Sequence, residues 1–196
     1  MNDQLFQMLF TDVISMLREK LHPHLFYHSP EHTIDVIQSA ERIAVAEHCS
    51  PDEIRLLKTA SLFHDTGYVR DMREHEKHGC EIATELLTSH RVDPSEITVI
   101  CGLIMATKVP QVPKTKLEEI ICDADLDYLG RDDYFAIAES LYREFLYFEK
   151  IKNEKDWINL QVKFIRSHTY FTQSSISLRQ PVVEENLKKI MEAVAD

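Results

Sequence analysis

Glycine is scarce in this chain, with 4 residues among 196. That scarcity, together with abundant Leu, Ile, Glu, Lys and Ala, leans the composition towards helix. Cysteine supplies no motif: Cys49, Cys80, Cys101 and Cys122 stand far apart and form no C-x-x-C pair. The pattern reads as reduced thiols of a cytosolic protein, against a disulfide framework or a thiolate metal site. Long apolar runs are missing too. The longest, about 97–106, falls short of the roughly 20 residues that span a bilayer. Met1-Asn-Asp-Gln lacks the basic start of a signal peptide, so the expected location is the cytoplasm.

Positive charge is in deficit, with 22 basic against 33 acidic residues and a net charge of −11. Such a chain repels a nucleic-acid backbone and an anionic membrane surface, so neither is expected as a partner. A small phosphorylated substrate stays open, because a metal ion and a few cations can reverse the field inside one cleft. Internal repeats, low-complexity tracts and Gly/Ser linkers are absent. With 44% hydrophobic and 28% charged residues, residues 1–196 read as one soluble globular domain. Oligomeric state is not legible.

What is present is helical periodicity. Leu5, Leu9, Val13, Leu17 and Leu21 recur every four residues and predict a first amphipathic helix. Ser29-Pro30 supplies an N-cap and a first-turn proline for a helix to about Glu47. Ser50-Pro-Asp-Glu53 is a capping box opening a helix that ends near Phe63, and Gly67 is expected just beyond as a left-handed residue. Further helices are predicted over about 76–90, 93–107, 115–127, 132–150, 156–167 and 182–194. The prolines of Lys108-Val-Pro-Gln-Val-Pro113 break the pattern. No alternating strand pattern occurs, and the fold class is all-α.

Chemistry concentrates in the histidines, of which there are 10. His64 and Asp65 are adjacent at the end of the apolar run Ala60-Ser-Leu-Phe. Neighbours in a helix diverge by about 100°, so both reach one point only where the helix unwinds. An imidazole nitrogen and a carboxylate oxygen together suit a borderline or hard divalent cation: Mn, Fe, Co, Ni, Zn or Mg. Alone, such a pair is ordinarily an exposed or capping pair.

Two further segments change that weighting. Tyr27-His28-Ser-Pro-Glu-His32 places His32 on the first turn of a helix and His28 in the loop before it. Cys122-Asp-Ala-Asp-Leu-Asp-Tyr-Leu129 sets three aspartates in an apolar segment, costly to bury unless paired or metal-bound. Leu117, Ile121, Ala124 and Tyr128 mark one buried face. Asp125 flanks that stripe and is expected as the ligand. Asp123 is the second choice, or a group that orients a ligand histidine. The expected ligand set is His32, His64, Asp65 and Asp125.

The order His32 … His64-Asp65 … Asp125 resembles the HD superfamily of metal-dependent phosphohydrolases. The resemblance spans about Tyr27 to Arg143. Ala60-Ser-Leu-Phe-His-Asp-Thr-Gly-Tyr68 is similar to that family's central motif, and Asp123-Ala-Asp-Leu-Asp-Tyr-Leu-Gly130 to its closing one. It implies a helical bundle of the phosphodiesterase type, its motif-bearing core over about 27–143 with the C-terminal helices packed on it. It also implies a metal-dependent hydrolase of a phosphoester, with a nucleotide or cyclic nucleotide expected, acting through metal-activated water. The Tyr-His-x-x-x-His form is similar to the cyclic-nucleotide phosphodiesterases, which makes His28 the expected general acid, near neutral pH by its ordinary pKa. Asp65 would be both ligand and partner of the nucleophilic water.

His75, in His75-Glu-Lys-His-Gly79, falls where one branch of the family binds a second metal. It reads equally as a second-metal ligand, a phosphate contact or a group behind the ligands, and His78 as solvated. The chain lacks that branch's Gly-Tyr-Pro motif, and a further histidine pair is replaced by Ile104-Met-Ala-Thr-Lys108. Lys108 and Arg143 are the expected phosphate contacts, although a helix-end lysine and an i,i+4 salt bridge are their ordinary roles. Tyr170, Phe171 and Arg179 read as core or as closing the pocket. Two other readings remain: a di-iron oxygenase of the same fold, and a non-catalytic metal- or nucleotide-sensing module.

Overall fold

The structure, a computed structural model, describes residues 2–192. Among them are nine α-helices and two short 3-10 turns, with no strand. Helix α1 (Asp3–Lys20) buries Phe6, Leu9, Val13, Ile14 and Leu17, most of the predicted four-residue stripe. Helix α2 (Pro30–Ala46) starts on Ser29, whose hydroxyl accepts from the His32 N–H. Helix α3 (Pro51–Phe63) starts on the Ser50/Glu53 capping box, and a 3-10 turn, Thr66–Val69, follows it. Then come α4 (His75–Ser89) and α5 (Pro94–Ala106). Helix α6 (Lys116–Asp125) opens on the Thr115/Glu118 capping box and gives way to a second 3-10 turn, Asp127–Gly130. Helices α7 (Tyr134–Tyr147), α8 (Glu154–Ser167) and α9 (Gln173–Glu192) complete the order.

Two hydrophobic cores divide the work. Helices α1 to α6 share the first, around Leu9, Leu17, Ile43, Leu57, Ile100 and Ile120. The second gathers Tyr128 and Leu129 of the second turn with Tyr134, Trp157, Ile165 and Val183 from α7, α8 and α9. Leu126, directly after α6, belongs to the second core while Ile120, Ile121 and Ala124 belong to the first. The end of α6 therefore lies where the cores meet. No helix of the described residues is long and apolar enough to cross a membrane.

Three sequence expectations are corrected. Gly67 is not left-handed, and no described glycine has positive φ. Its role is room, since a Cβ on Gly67 would lie 1.9 Å from the His75 carbonyl oxygen. Three helices end instead on left-handed non-glycine residues: His48 (φ 57°) after α2, Arg91 (φ 56°) after α4 and Glu149 (φ 54°) after α7. Helix α6 stops at Asp125, two residues before the expected 127. Helix α9 begins at Gln173 with Pro181 inside it, well before the expected 182. Tertiary contacts outweigh the bond a proline removes: Arg179 in its first half pairs with Asp127 at 2.8 and 2.9 Å. Residues 193–194 of that expected helix lie outside the described residues.

Candidate metal centre

Helix ends build the site. His32 lies on the first turn of α2, His64 caps the C-terminus of α3, Asp65 leads into the first 3-10 turn, and Asp125 closes α6. The backbone leaves the helix at Asp65 (φ −103°, ψ 2°), which lets neighbouring side chains converge. Gly79 of α4 packs on that corner, and a Cβ there would lie 2.8 Å from the Phe63 carbonyl oxygen.

Four donor atoms converge. His32 Nε2 lies 3.5 Å from Asp65 Oδ2 and 3.3 Å from Asp125 Oδ1. His64 Nε2 lies 3.2 Å from Asp65 Oδ2 and 3.5 Å from Asp125 Oδ1. The two Nε2 atoms are 3.4 Å apart. Donors about 2.1 Å from a common centre are spaced in this way. Among the described residues, His32, His64 and Asp125 bring one ligand atom each within 4.8 Å of one another.

The protonation pattern tests whether a cation fits. His64 Nδ1 lies 2.7 Å from the Ser61 carbonyl oxygen. A carbonyl only accepts, so Nδ1 carries the hydrogen and the neutral ring turns the Nε2 lone pair inward. Asp65 Oδ2 is buried and has no hydrogen-bond partner. A lone pair facing two carboxylates and a second imidazole is repulsive unless positive charge lies among them. Burial opposes a charged His64, yet Asp65 and Asp125 raise its pKa well above the ordinary value. Burial likewise opposes the charge on both carboxylates. His64 nevertheless holds Asp65 below the usual range, and hydrogen bonding to His32 and His64 brings Asp125 to about 2. The residues present fit a divalent ion, which would replace a proton shared among these groups.

His28 stands beside this group with a partner that the sequence reading missed. Its Nδ1 is 2.5 Å from Glu144 Oε1 of α7. Glu144 Oε2 accepts from the backbone N–H groups of Tyr27 (3.0 Å) and His28 (3.2 Å). Burial pushes the His28 pKa down, but the Glu144 hydrogen bond and the charge of Asp65 outweigh it, and the net shift is upward. The signal for Glu144 was there: a carboxylate beside Leu141 and Phe145 on an otherwise apolar stripe of α7. Tyr68, also missed, stacks between His28 and His75 with centroids at 4.3 and 4.2 Å.

The remaining expected residues divide. His75 Nε2 is 3.5 Å from Asp65 Oδ1 and 3.5 Å from Glu76 Oε1, so it borders the group through Asp65. His78, expected as solvated, is half-buried and pairs with Glu81 at 3.2 Å, outside the group. Asp123 is elsewhere, a correction to its place as second choice. Its carboxylate accepts from the backbone N–H groups of Phe171 (2.9 Å) and Thr172 (2.8 Å) and from the Thr172 hydroxyl (2.7 Å). Two positions before Asp125, it points to another side of α6. Asp127 is tied to Arg42 and Arg179, and Tyr170 is buried with its hydroxyl donating to the Leu126 carbonyl. Both are structural.

A cavity of about 530 Å³ opens beside the centre, and Lys108 is on its wall. Arg143 is not. It lies over the Phe26 ring, 4.2 Å from the centroid, because it is turned about 100° round α7 from Glu144.

A family model described as the HD domain matches residues 31–127, the span that carries His32, His64, Asp65 and Asp125. The chain carries an HD domain. His28 and Glu144 lie outside the matched span, on either side of it. A search of curated proteins gives no significant match. The fold is similar to the crystal structure of a predicted HD superfamily hydrolase from an uncultured Thermotogales bacterium. That likeness has a TM-score of 0.62 at 21% identity and covers 94% of this chain and 91% of the other. At that identity it establishes the shared all-α HD fold.

Proposed function

We propose that this HD-domain chain is a metal-dependent phosphohydrolase that cleaves a phosphoester with water. The observation that carries the reading is the four-donor group with an unpartnered Asp65 Oδ2 in it, while the other oxygen of that carboxylate, Oδ1, lies 3.5 Å from His75 Nε2. His32, His64, Asp65 and Asp125 would hold the ion. When bound, a divalent cation there supplies Lewis-acid polarisation and a water acidified to near neutrality. Asp65 has a second oxygen, Oδ1, with which to orient the attacking water.

His28 supplies the proton. Glu144 holds its Nδ1 and favours the imidazolium, so Nε2 is the nitrogen that protonates the leaving oxygen. Lys108 at the cavity wall offsets phosphate charge. Arg143, over Phe26, has no part in this reading.

The test is elemental analysis of protein purified without chelator, combined with a panel of phosphoesters. The panel includes 5′-monophosphates, cyclic nucleotides and ppGpp, with added Mn, Co, Ni or Mg, and the control is His64→Ala with Asp65→Ala. Joint loss of metal and turnover in the control is expected. A fully metallated parent that releases no product from any ester would falsify the reading. Iron near two per chain with oxygen consumption would replace it with an oxygenase.

A further inference from the structure

The walls of the cavity beside the centre fall into two groups. One is polar: His28, Asp65, His75 and Asp125 among others. The other comes from α7 and α8 and includes Tyr134, Leu141, Phe145, Trp157, Leu160 and Phe164. The two helices place a single charged side chain on the wall, Glu144, already engaged with His28. The polar pair there is bonded to itself, the Tyr134 hydroxyl donating to Gln161 Oε1 at 2.6 Å. A volume of about 530 Å³ suits a ligand of tens of atoms.

Charge limits the ligand from the other side. Asp65, Glu74, Glu76, Asp125 and Glu144 reach the wall, against Lys108, Lys150 and the His28 imidazolium paired with Glu144 as the cations among its described lining residues. Both lysines are exposed, where water screens them. With a divalent ion on two of the carboxylates, this balance accepts one phosphate and repels a polyphosphate. Apolar walls, in turn, gain only from apolar surface.

Resting on the hydrolase reading above, we infer that the substrate is a singly phosphorylated ester whose alcohol portion is a bulky apolar group seated between α7 and α8. A sugar polyphosphate would leave that half of the cavity unmatched.

Trp157, the only tryptophan of the chain, lies on this wall, so its fluorescence reports occupancy without turnover. Metal-replete protein is titrated with octylphosphonate and, separately, with ethylphosphonate. The expected result is a saturable blue shift with octylphosphonate, at an affinity at least roughly thirty-fold above that for ethylphosphonate. Leu160→Asn and Ala138→Phe, which respectively make the wall polar and fill it, should each weaken octylphosphonate at least about fivefold while metal content is retained. Equal affinity for the two phosphonates, or no saturable change with either, overturns the inference.

A kinetic arm separates this inference from the hydrolase reading. Octyl phosphate and ethyl phosphate have leaving alcohols of like chemistry, and kcat/KM should favour the octyl ester by a similar factor. If octylphosphonate binds selectively but no mono- or diester is hydrolysed, the apolar seat stands and the hydrolase reading falls. If ppGpp or nucleoside monophosphates are turned over better than octyl phosphate, hydrolysis stands and the apolar seat falls.

Discussion

Glu144 holds His28 at both ends: one carboxylate oxygen takes the ring nitrogen at 2.5 Å, and the other takes the His28 backbone N–H at 3.2 Å. The contact spans 116 residues of sequence and joins the loop before α2 to the last turn of α7.

It makes a prediction about pH. The His28 pKa lies above its ordinary value, so the acid form persists to higher pH, and activity should fall as pH rises through that elevated value. Glu144→Gln keeps the size and removes the charge. The basic limb of the kcat/KM profile should then move to lower pH, with kcat reduced roughly 10- to 100-fold. A profile unchanged in Glu144→Gln would remove His28 from the role of acid.

Asp125 and Asp123 separate by metal content. Asp125→Asn takes one donor from the four-atom group and should bring bound metal, measured by elemental analysis, to a small fraction of the parent's. Asp123→Asn should keep the metal and lose about 1–3 kcal/mol of stability, because two backbone N–H groups and the Thr172 hydroxyl depend on that carboxylate. Metal loss in both variants would place the two aspartates in one group after all.

Metal uptake should also release protons. The His64 pKa is raised well above its ordinary value, so the stripped protein at neutral pH carries a proton there that the ion displaces. Calorimetry in buffers of different ionisation enthalpy reads this directly. A buffer-independent heat would contradict the proton-for-metal exchange.

The glycines divide in the same way. Gly67→Ala sets a Cβ 1.9 Å from the His75 carbonyl oxygen and should cost about 3 kcal/mol or more through forced backbone movement. Gly102 of α5 has nothing within 4 Å of its Cβ position, and Gly102→Ala should stabilise by about 0.5–1 kcal/mol. Denaturant unfolding of the pair decides it, and equal effects would refute the close approach at Gly67.

Where left-handed turns do occur, glycine is missing. Arg91 and Glu149 hold φ of 56° and 54° on exposed positions. Arg91→Gly and Glu149→Gly should each raise stability by about 0.5–1 kcal/mol and Tm by roughly 1–4 °C. A fall in Tm would show that the replaced side chain matters more than its backbone.

Much of this protein was determined by local sequence. Capping residues and prolines set where α2, α3, α5 and α6 begin, because a cap acts within one turn. The His-Asp pair at the end of an apolar helix, and the resemblance to the HD family that it supports, rest on short contiguous motifs. The choice of Asp125 over Asp123 followed from helical phase, which is also local. Tertiary structure decided the rest. Glu144 meets His28 only when α7 packs on the loop before α2. Cys80 and Cys101, distant in sequence, face each other across α4 and α5. Arg143 was drawn to Phe26 rather than to the cavity, and α9 runs through Pro181 because Asp127 and Asp123 anchor its start from far along the chain. Local propensity fixes a backbone over a few residues. Which buried charge meets which partner is settled only when distant helices pack, because that is when water leaves and each unpaired group must be satisfied.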